Sequence, residues 1–292
     1  MTASKKKPVA LDIFPPGHKP GPEEILATAI GLFNPVATYV GFSGGNGSTA
    51  ATHWMMKNAP ACEVFHSNTG IGMEKTRIHV RKTCATYGWK LHEIRAKEDC
   101  GQDYRAIVLK NGFPGPSSHQ YMYIRLKERC IDLLVRRAKV GHPKRANVLI
   151  ATGVCHDDSE VRMGYAGKEI NKVGGKVWIN PLYWWTKEQR EAYRLSSGMP
   201  VNHAAQQLGM SGECACGAFA QKGELARWEK VDPDLVAYIR QLELEVLERG
   251  FTWNWESGPP KGGHNPAQEH LFAPMCTGCL KSAVVQEALE EA

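Results

Sequence analysis

Ser43-Gly44-Gly45-Asn46-Gly47-Ser48-Thr49 limits the possible folds of this chain more than any other stretch. It follows an apolar strand-like run, Thr38 to Phe42, and opens a helix-like run, Ala50 to Lys57. A strand, a glycine turn and a helix N-terminus make a cradle for anions. Glycine lets the backbone approach closely, and turn N–H groups and the helix dipole favour negative charge. Hydroxyls at both ends add donors. Ser43, Gly44, Gly45, Asn46, Gly47, Ser48 and Thr49 are therefore expected to grip the phosphates of a nucleotide. The stretch is not a Walker A loop, because no Gly-Lys-Ser/Thr follows.

The surrounding pattern alternates between strand and helix. Strands are predicted at Thr38 to Phe42, Cys62 to His66, Trp89 to Arg95 and Asn147 to Thr152, with helices at Ser48 to Asn58, Met73 to Tyr87 and Ser118 to Lys139. This order predicts an α/β fold, a parallel twisted sheet with helices on both faces. Ligands of such sheets lie beyond the carboxyl ends of the strands. There the Ser43 loop, the turn Asn68-Thr69-Gly70 and the segment from Gly153 to Ser159 would meet. Residues 1–35 read as an arm and a helix, 36–185 as the nucleotide-binding domain, and 186–292 as a helical, cysteine-rich appendage.

With 292 residues, 42% of them apolar, the chain can bury a sizeable core. Its formal net charge of +6 suits a phosphate-bearing small molecule without demanding nucleic acid, which stays open as a partner. No apolar run approaches the roughly 20 residues that cross a bilayer. The Lys- and Pro-rich start lacks a signal core, so a cytoplasmic location is expected.

Nine cysteines is an odd count. Cys214-Ala215-Cys216 and Cys276-Thr277-Gly278-Cys279 form two close-spaced pairs on turns, a pattern of metal ligands or reactive thiols more than of secreted disulfides. Four thiolates make a tetrahedral set, and spacing alone leaves an iron–sulfur cluster, such as 4Fe-4S, and zinc equally open. Cys62 and Cys84 sit in apolar patterns and read as packing. Cys155 stands beside the expected strand-end site.

On these residues the chain resembles the phosphoadenosine-phosphosulfate reductase family of the adenine nucleotide alpha hydrolases, from about Ala37 to Pro200. The Ser43 loop corresponds to the family's SGGxDS pyrophosphate loop. Asn68-Thr69-Gly70 with Glu74 and Thr76 resembles its (D/N)TG...PET segment, and Gly153 through Arg162 its GxRxxxSxxR segment. The cysteine pairs look more like those of iron–sulfur-bearing relatives in phage and in DNA phosphorothioation systems. Two departures stand out: Gly47 replaces the loop aspartate, which weakens a Mg-assisted pyrophosphatase reading, and the reductases' C-terminal ECGLH segment is absent.

The resemblance implies an enzyme that binds an adenine nucleotide (the sulfonucleotides PAPS or APS, or ATP) and reduces the sulfonucleotide with a thiol donor protein. Alternatives are an ATP-dependent thiolation enzyme with a sulfur-donor partner, and a nucleotide-binding protein without catalysis. Arg162, with Lys168 and His156, would bind phosphate or sulfate, and Cys214 would be the nucleophile unless caged. Asp157, beside Asp158, would serve as a base or magnesium ligand.

Overall fold

The computed structural model describes residues 9–10, 13–157 and 168–260. A seven-stranded sheet has the order β1-β6-β7-β5-β2-β3-β4. In chain order its strands are β1 Val9–Ala10, β2 Ala37–Gly41, β3 Cys62–Asn68, β4 Leu91–Arg95, β5 Val148–Ala151, β6 Ile170–Val173 and β7 Lys176–Ile179. The run β7-β5-β2-β3-β4 is parallel; β2 to β5 are the four strands the alternating pattern predicts, and β7 was not among them. The antiparallel edge was not foreseen: β6 pairs with β7 as a hairpin, and β1 pairs with β6. Turning the chain at Gly174 needs its φ of 60°, which glycine adopts without strain.

Helices α1 Pro22–Phe33, α2 Asn46–Asn58, α3 Glu74–Thr86 and α4 Tyr104–Asn111 alternate with the first strands. The long helix expected from Ser118 is instead α5 His119–Tyr123, a π-turn at Ile124–Glu128, and α6 Arg129–Ala138. After the sheet come α7 Lys187–Ser196, α8 His203–Leu208, α9 Glu224–Glu229 and α10 Pro233–Glu248. The short helices α4 and α9 carry too few turns for periodicity to reveal them. Among the described residues, no helix is long and apolar enough to cross a membrane.

Successive strand residues point to opposite faces, and the two faces carry two cores. Val40, Val64 and Leu149 face α1, α2 and α3, through Ile25, Met55 and Val80. Tyr39, Phe65 and Ile150 share the other core with Leu126, Trp228, Ile239 and Trp255. The helices after residue 186 thus pack into a core that the sheet itself supplies.

Strand order sets the position of the candidate site. From β2 the chain moves outward to β3 and β4, then returns to place β5 on the other side of β2. The loops after β2 and β5 therefore part at a topological switch point, the usual ligand crevice of an open α/β sheet.

Candidate functional site

Gly44 has φ 77°, which turns the chain sharply after β2, and Gly45 precedes the first turn of α2 in extended conformation. Ser48 and Thr49 hydroxyls both donate to the Gly45 carbonyl at 2.9 Å, while the Ser43 hydroxyl reaches Ser48 Oγ at 3.1 Å. As at any helix start, the first N–H groups of α2 have no partner inside the helix. Thr76 of α3 and Asn202, the N-cap of α8, brace the turn from behind. Asn202 Nδ2 donates to Gly44 O at 3.0 Å and to Thr76 Oγ1 at 3.1 Å.

The β5 loop presses directly on this turn. A Cβ added to Gly153 would stand 2.6 Å from Gly47 O, so only glycine permits the approach. Two of the three expected motifs are thereby in contact. Beyond Gly153, His156 stacks on Trp184 with ring centroids 5.0 Å apart. Lys19 lies over the same indole, 5.1 Å from its centroid. Asp157 is half-exposed, its Oδ1 3.4 Å from His156 Nδ1. Cys155 is fully buried, its Sγ 3.0 Å from Leu182 O, in a packing position. Asp158, Ser159 and Arg162 lie outside the described residues, as do Cys276 and Cys279.

The third motif ends β3. Asn68 Oδ1 accepts from Gly70 N–H at 3.1 Å, and Asn68 Nδ2 donates to Glu93 at 2.7 Å. Thr69 is fully buried and turned to Glu213: its N–H donates to Oε1 at 3.0 Å and its hydroxyl to the Glu213 carbonyl at 2.7 Å. Glu213 Oε2 also stands 3.0 Å from His66 Nε2 and 3.5 Å from Arg77 Nε. His66 Nδ1 pairs with the carbonyl of Phe42, the residue before the glycine turn, at 2.7 Å. A carbonyl only accepts, so this nitrogen carries a proton. Burial opposes charge on both partners, yet the mutual attraction prevails: His66 is raised above its ordinary pKa, and Glu213, helped by Arg77, is lowered.

Glu213 immediately precedes Cys214, so this buried network fastens the cysteine turn to the ends of β2 and β3. Backbone bonds continue the seam, from Met73 N to Gly212 O at 2.9 Å and from Ala215 N to Ile71 O at 2.8 Å. Tyr104 Oη donates to Cys216 O at 3.0 Å, and Trp255 Nε1 donates to Ala215 O at 2.8 Å. At its start the cysteine turn touches the glycine turn: a Cβ on Gly45 would lie 3.2 Å from Ser211 Cβ. The fold therefore joins the Ser43 turn, the Asn68 turn and the Cys214-Cys216 turn into one edge.

Cys214 and Cys216 face a cavity of about 260 Å³, bounded by His119, Lys127, Phe219 and Trp228. The neighbouring Cys216 thiol, and after it the Lys127 charge, outweigh the cost of burial and bring the Cys214 thiol down to about 6. Cys216 is pushed far up by Cys214 and by burial. His119 is held down to about 4 by burial and by Lys127. Among the described residues no three His, Cys, Asp or Glu side chains converge as metal ligands. Two thiols on one cavity wall suit half of a four-thiolate set, which Cys276 and Cys279 would have to complete.

Sequence reasoning passed over His66, Arg77, Asn202 and Ser211, none of which belongs to a recognisable spacing. It also passed over Arg190 of α7, which is buried beside Gly47. The only local signal here was Thr186-x-x-Gln189, a capping box that forms and fixes where α7 begins.

No curated protein matches the chain. Among solved structures it is similar to phosphoadenylyl-sulfate (PAPS) reductase from Candida auris in a phosphate complex, at 22% identity over 64% of this chain and 85% of that one, TM-score 0.46. It is also similar to the U34-tRNA thiolase NcsA from Methanococcus maripaludis with its [4Fe-4S] cluster, at 15% identity over 77% and 78%, TM-score 0.41. A third is NMN synthetase from Francisella tularensis, at 15% over 79% and 92%, TM-score 0.44. A family model, the phosphoadenosine phosphosulfate reductase domain, matches residues 37–208. That span runs from the first residue of β2 to the last of α8 and exceeds half of the chain, which therefore belongs to the phosphoadenosine phosphosulfate reductase domain family.

Proposed function

We propose that the chain is a sulfonucleotide reductase that holds an adenylate at the Ser43–Thr49 turn and attacks its terminal sulfur with Cys214. The observation that carries this reading is the contact between Gly45 and Ser211, which puts the cysteine turn beside the glycine turn. In the reading, N–H groups of the turn, Ser43 and Ser48 orient the phosphate, with Asn68, Thr69, Gly70 and Gly153 shaping the edge around it. Arg162, and Lys168 with His156, would meet the sulfate oxygens.

The Cys214 thiolate forms an S–S bond to the sulfate sulfur while the sulfur–oxygen bond to the nucleotide breaks. The electron pair leaves with that oxygen as the adenylate, and the oxidised sulfur stays on the enzyme as S-sulfocysteine. A thiol of a donor protein then attacks Cys214 Sγ. Sulfite departs with the bonding pair, and a mixed disulfide remains for a second donor thiol to reduce. The proton from each attacking thiol goes to solvent.

Cys214, Cys216, Cys276 and Cys279 would hold an iron–sulfur cluster or a zinc ion if the two pairs meet. Such a centre would supply field and sulfur affinity at this edge. A centre using all four thiols would leave none for the attack, so metal content and activity have to be measured on the same sample. The decisive experiment follows sulfite release from APS or PAPS with dithiothreitol or thioredoxin as donor. Sulfite from wild-type protein and none from Cys214→Ser is expected. ATP cleavage to AMP and pyrophosphate without sulfite would favour the thiolation alternative instead.

A further inference from the structure

The reaction at Cys214 leaves a second thiol beside it unused. Cys216 lines the same cavity of about 260 Å³, both cysteines are free, and among the described residues no other cysteine reaches that cavity. Ala215 between them is 1% exposed and packs in the core, so the two side chains that flank it share the cavity side. Cα atoms two positions apart stand at most about 7 Å from each other, which keeps the pair within reach of a disulfide. The backbone here is held firmly. The Tyr104 hydroxyl fixes Cys216 O at 3.0 Å and the Trp255 indole fixes Ala215 O at 2.8 Å. Gly217 follows at φ 86°, where a Cβ would meet Trp255 Cδ1 at 2.8 Å.

We propose that Cys216 is a catalytic residue, the thiol that resolves the S-sulfocysteine formed at Cys214. Its sulfur attacks Cys214 Sγ, an S–S bond forms between the two cysteines, and the bond from Cys214 Sγ to the sulfo group breaks. Sulfite leaves with that bonding pair, and the Cys216 proton goes to solvent. The two electrons that reduce the sulfur thus come from the two cysteines, which end as a disulfide. The donor protein acts afterwards: its two thiols reduce the Cys214–Cys216 disulfide by successive exchange and become a disulfide themselves. An attacking group fixed one residue away outruns a donor in solution, because attack within one turn has an effective molarity far above the concentration of any free protein thiol. The inference rests on the attack by Cys214 and moves the donor one step later.

The test mixes the full chain, as purified and with its iron and zinc measured, with APS or PAPS and no thiol donor. Wild type should release one sulfite per chain, lose two titratable thiols and fall in mass by two hydrogen atoms. Cys216→Ser should instead gain the mass of one SO₃ group at Cys214 and release sulfite only when dithiothreitol is added. Thermal unfolding checks that the variant folds. If it does not, the sulfite, thiol count and mass of wild type carry the test. Wild type that keeps the sulfo group until a donor arrives, or a folded Cys216→Ser that releases sulfite unaided, would overturn the inference while leaving the attack by Cys214 standing. A stoichiometric metal that Cys216→Ser discharges would occupy the resolving thiol and overturn it as well. Wild type that neither gains mass, loses thiols nor releases sulfite with either compound would remove the attack by Cys214 and this inference together.

Discussion

Single side chains set the chemistry of the cysteine turn. Because the thiol of Cys216 is the main cause of the low Cys214 value, Cys216→Ala should move the alkylation profile of metal-free protein to higher pH. Iodoacetamide rates across pH 5 to 9 measure this, and an unmoved midpoint would refute it. Glu213 is 3% exposed between His66 and Arg77, so Glu213→Ala strands the buried His66 and leaves Arg77 only the more exposed Glu74, 3.5 Å from its Nη1. A loss of about 3–5 kcal/mol in urea unfolding is expected. Glu213→Gln should recover part of this, because its amide can donate to neutral His66 while its oxygen still accepts from Thr69, but Arg77 then faces an N–H group where the carboxylate oxygen stood.

Between elements, close backbone contact and strand-end ion pairs hold the edge together. Gly153→Ala would drive a methyl group into Gly47 O, so β5 and α2 would have to separate. About 1–3 kcal/mol of destabilisation is expected, together with weaker APS binding, measured by unfolding and titration. Arg81 of α3 grips Glu93 of β4 through two bonds of 2.7 Å, and these hold the Glu93 carboxyl down to about 2. A depressed folded value contributes stability above the unfolded value of about 4.3, and that contribution disappears as pH falls through the folded value. The gap in urea midpoint between wild type and Arg81→Ala should be full at neutral pH and close toward pH 2. Since Arg81 is 37% exposed, that gap should stay within about 1 kcal/mol.

At the scale of the whole molecule, the sheet and the later helices depend on one another. Trp228, Ile239 and Trp255 share a core with Phe65 and Ile150, so a chain ending at residue 208 would expose strand side chains on one face. Such a truncation should lose its cooperative thermal transition and bind a hydrophobic dye, whereas the full chain should unfold in one step. A truncated chain that melts sharply near the full-length temperature would contradict this. The same dependence places the candidate site: the glycine turn comes from one side of the interface and the cysteine turn from the other.

The sequence by itself determined the parallel pairing of the central strands and the position of the glycine turn. Both are local: apolar runs of strand length, a glycine triplet with flanking hydroxyls, and caps such as Thr186-x-x-Gln189 act within a few residues. The π-turn at Ile124–Glu128 and the β6–β7 hairpin were not legible, because neither changes the apolar period of its segment. Only the tertiary structure decided that Glu213 meets His66, that Arg190 stands beside Gly47, and that Ser211 meets Gly45. Each pair is more than 140 residues apart, and such pairings are set by how two cores close on one sheet, which no spacing in the chain encodes.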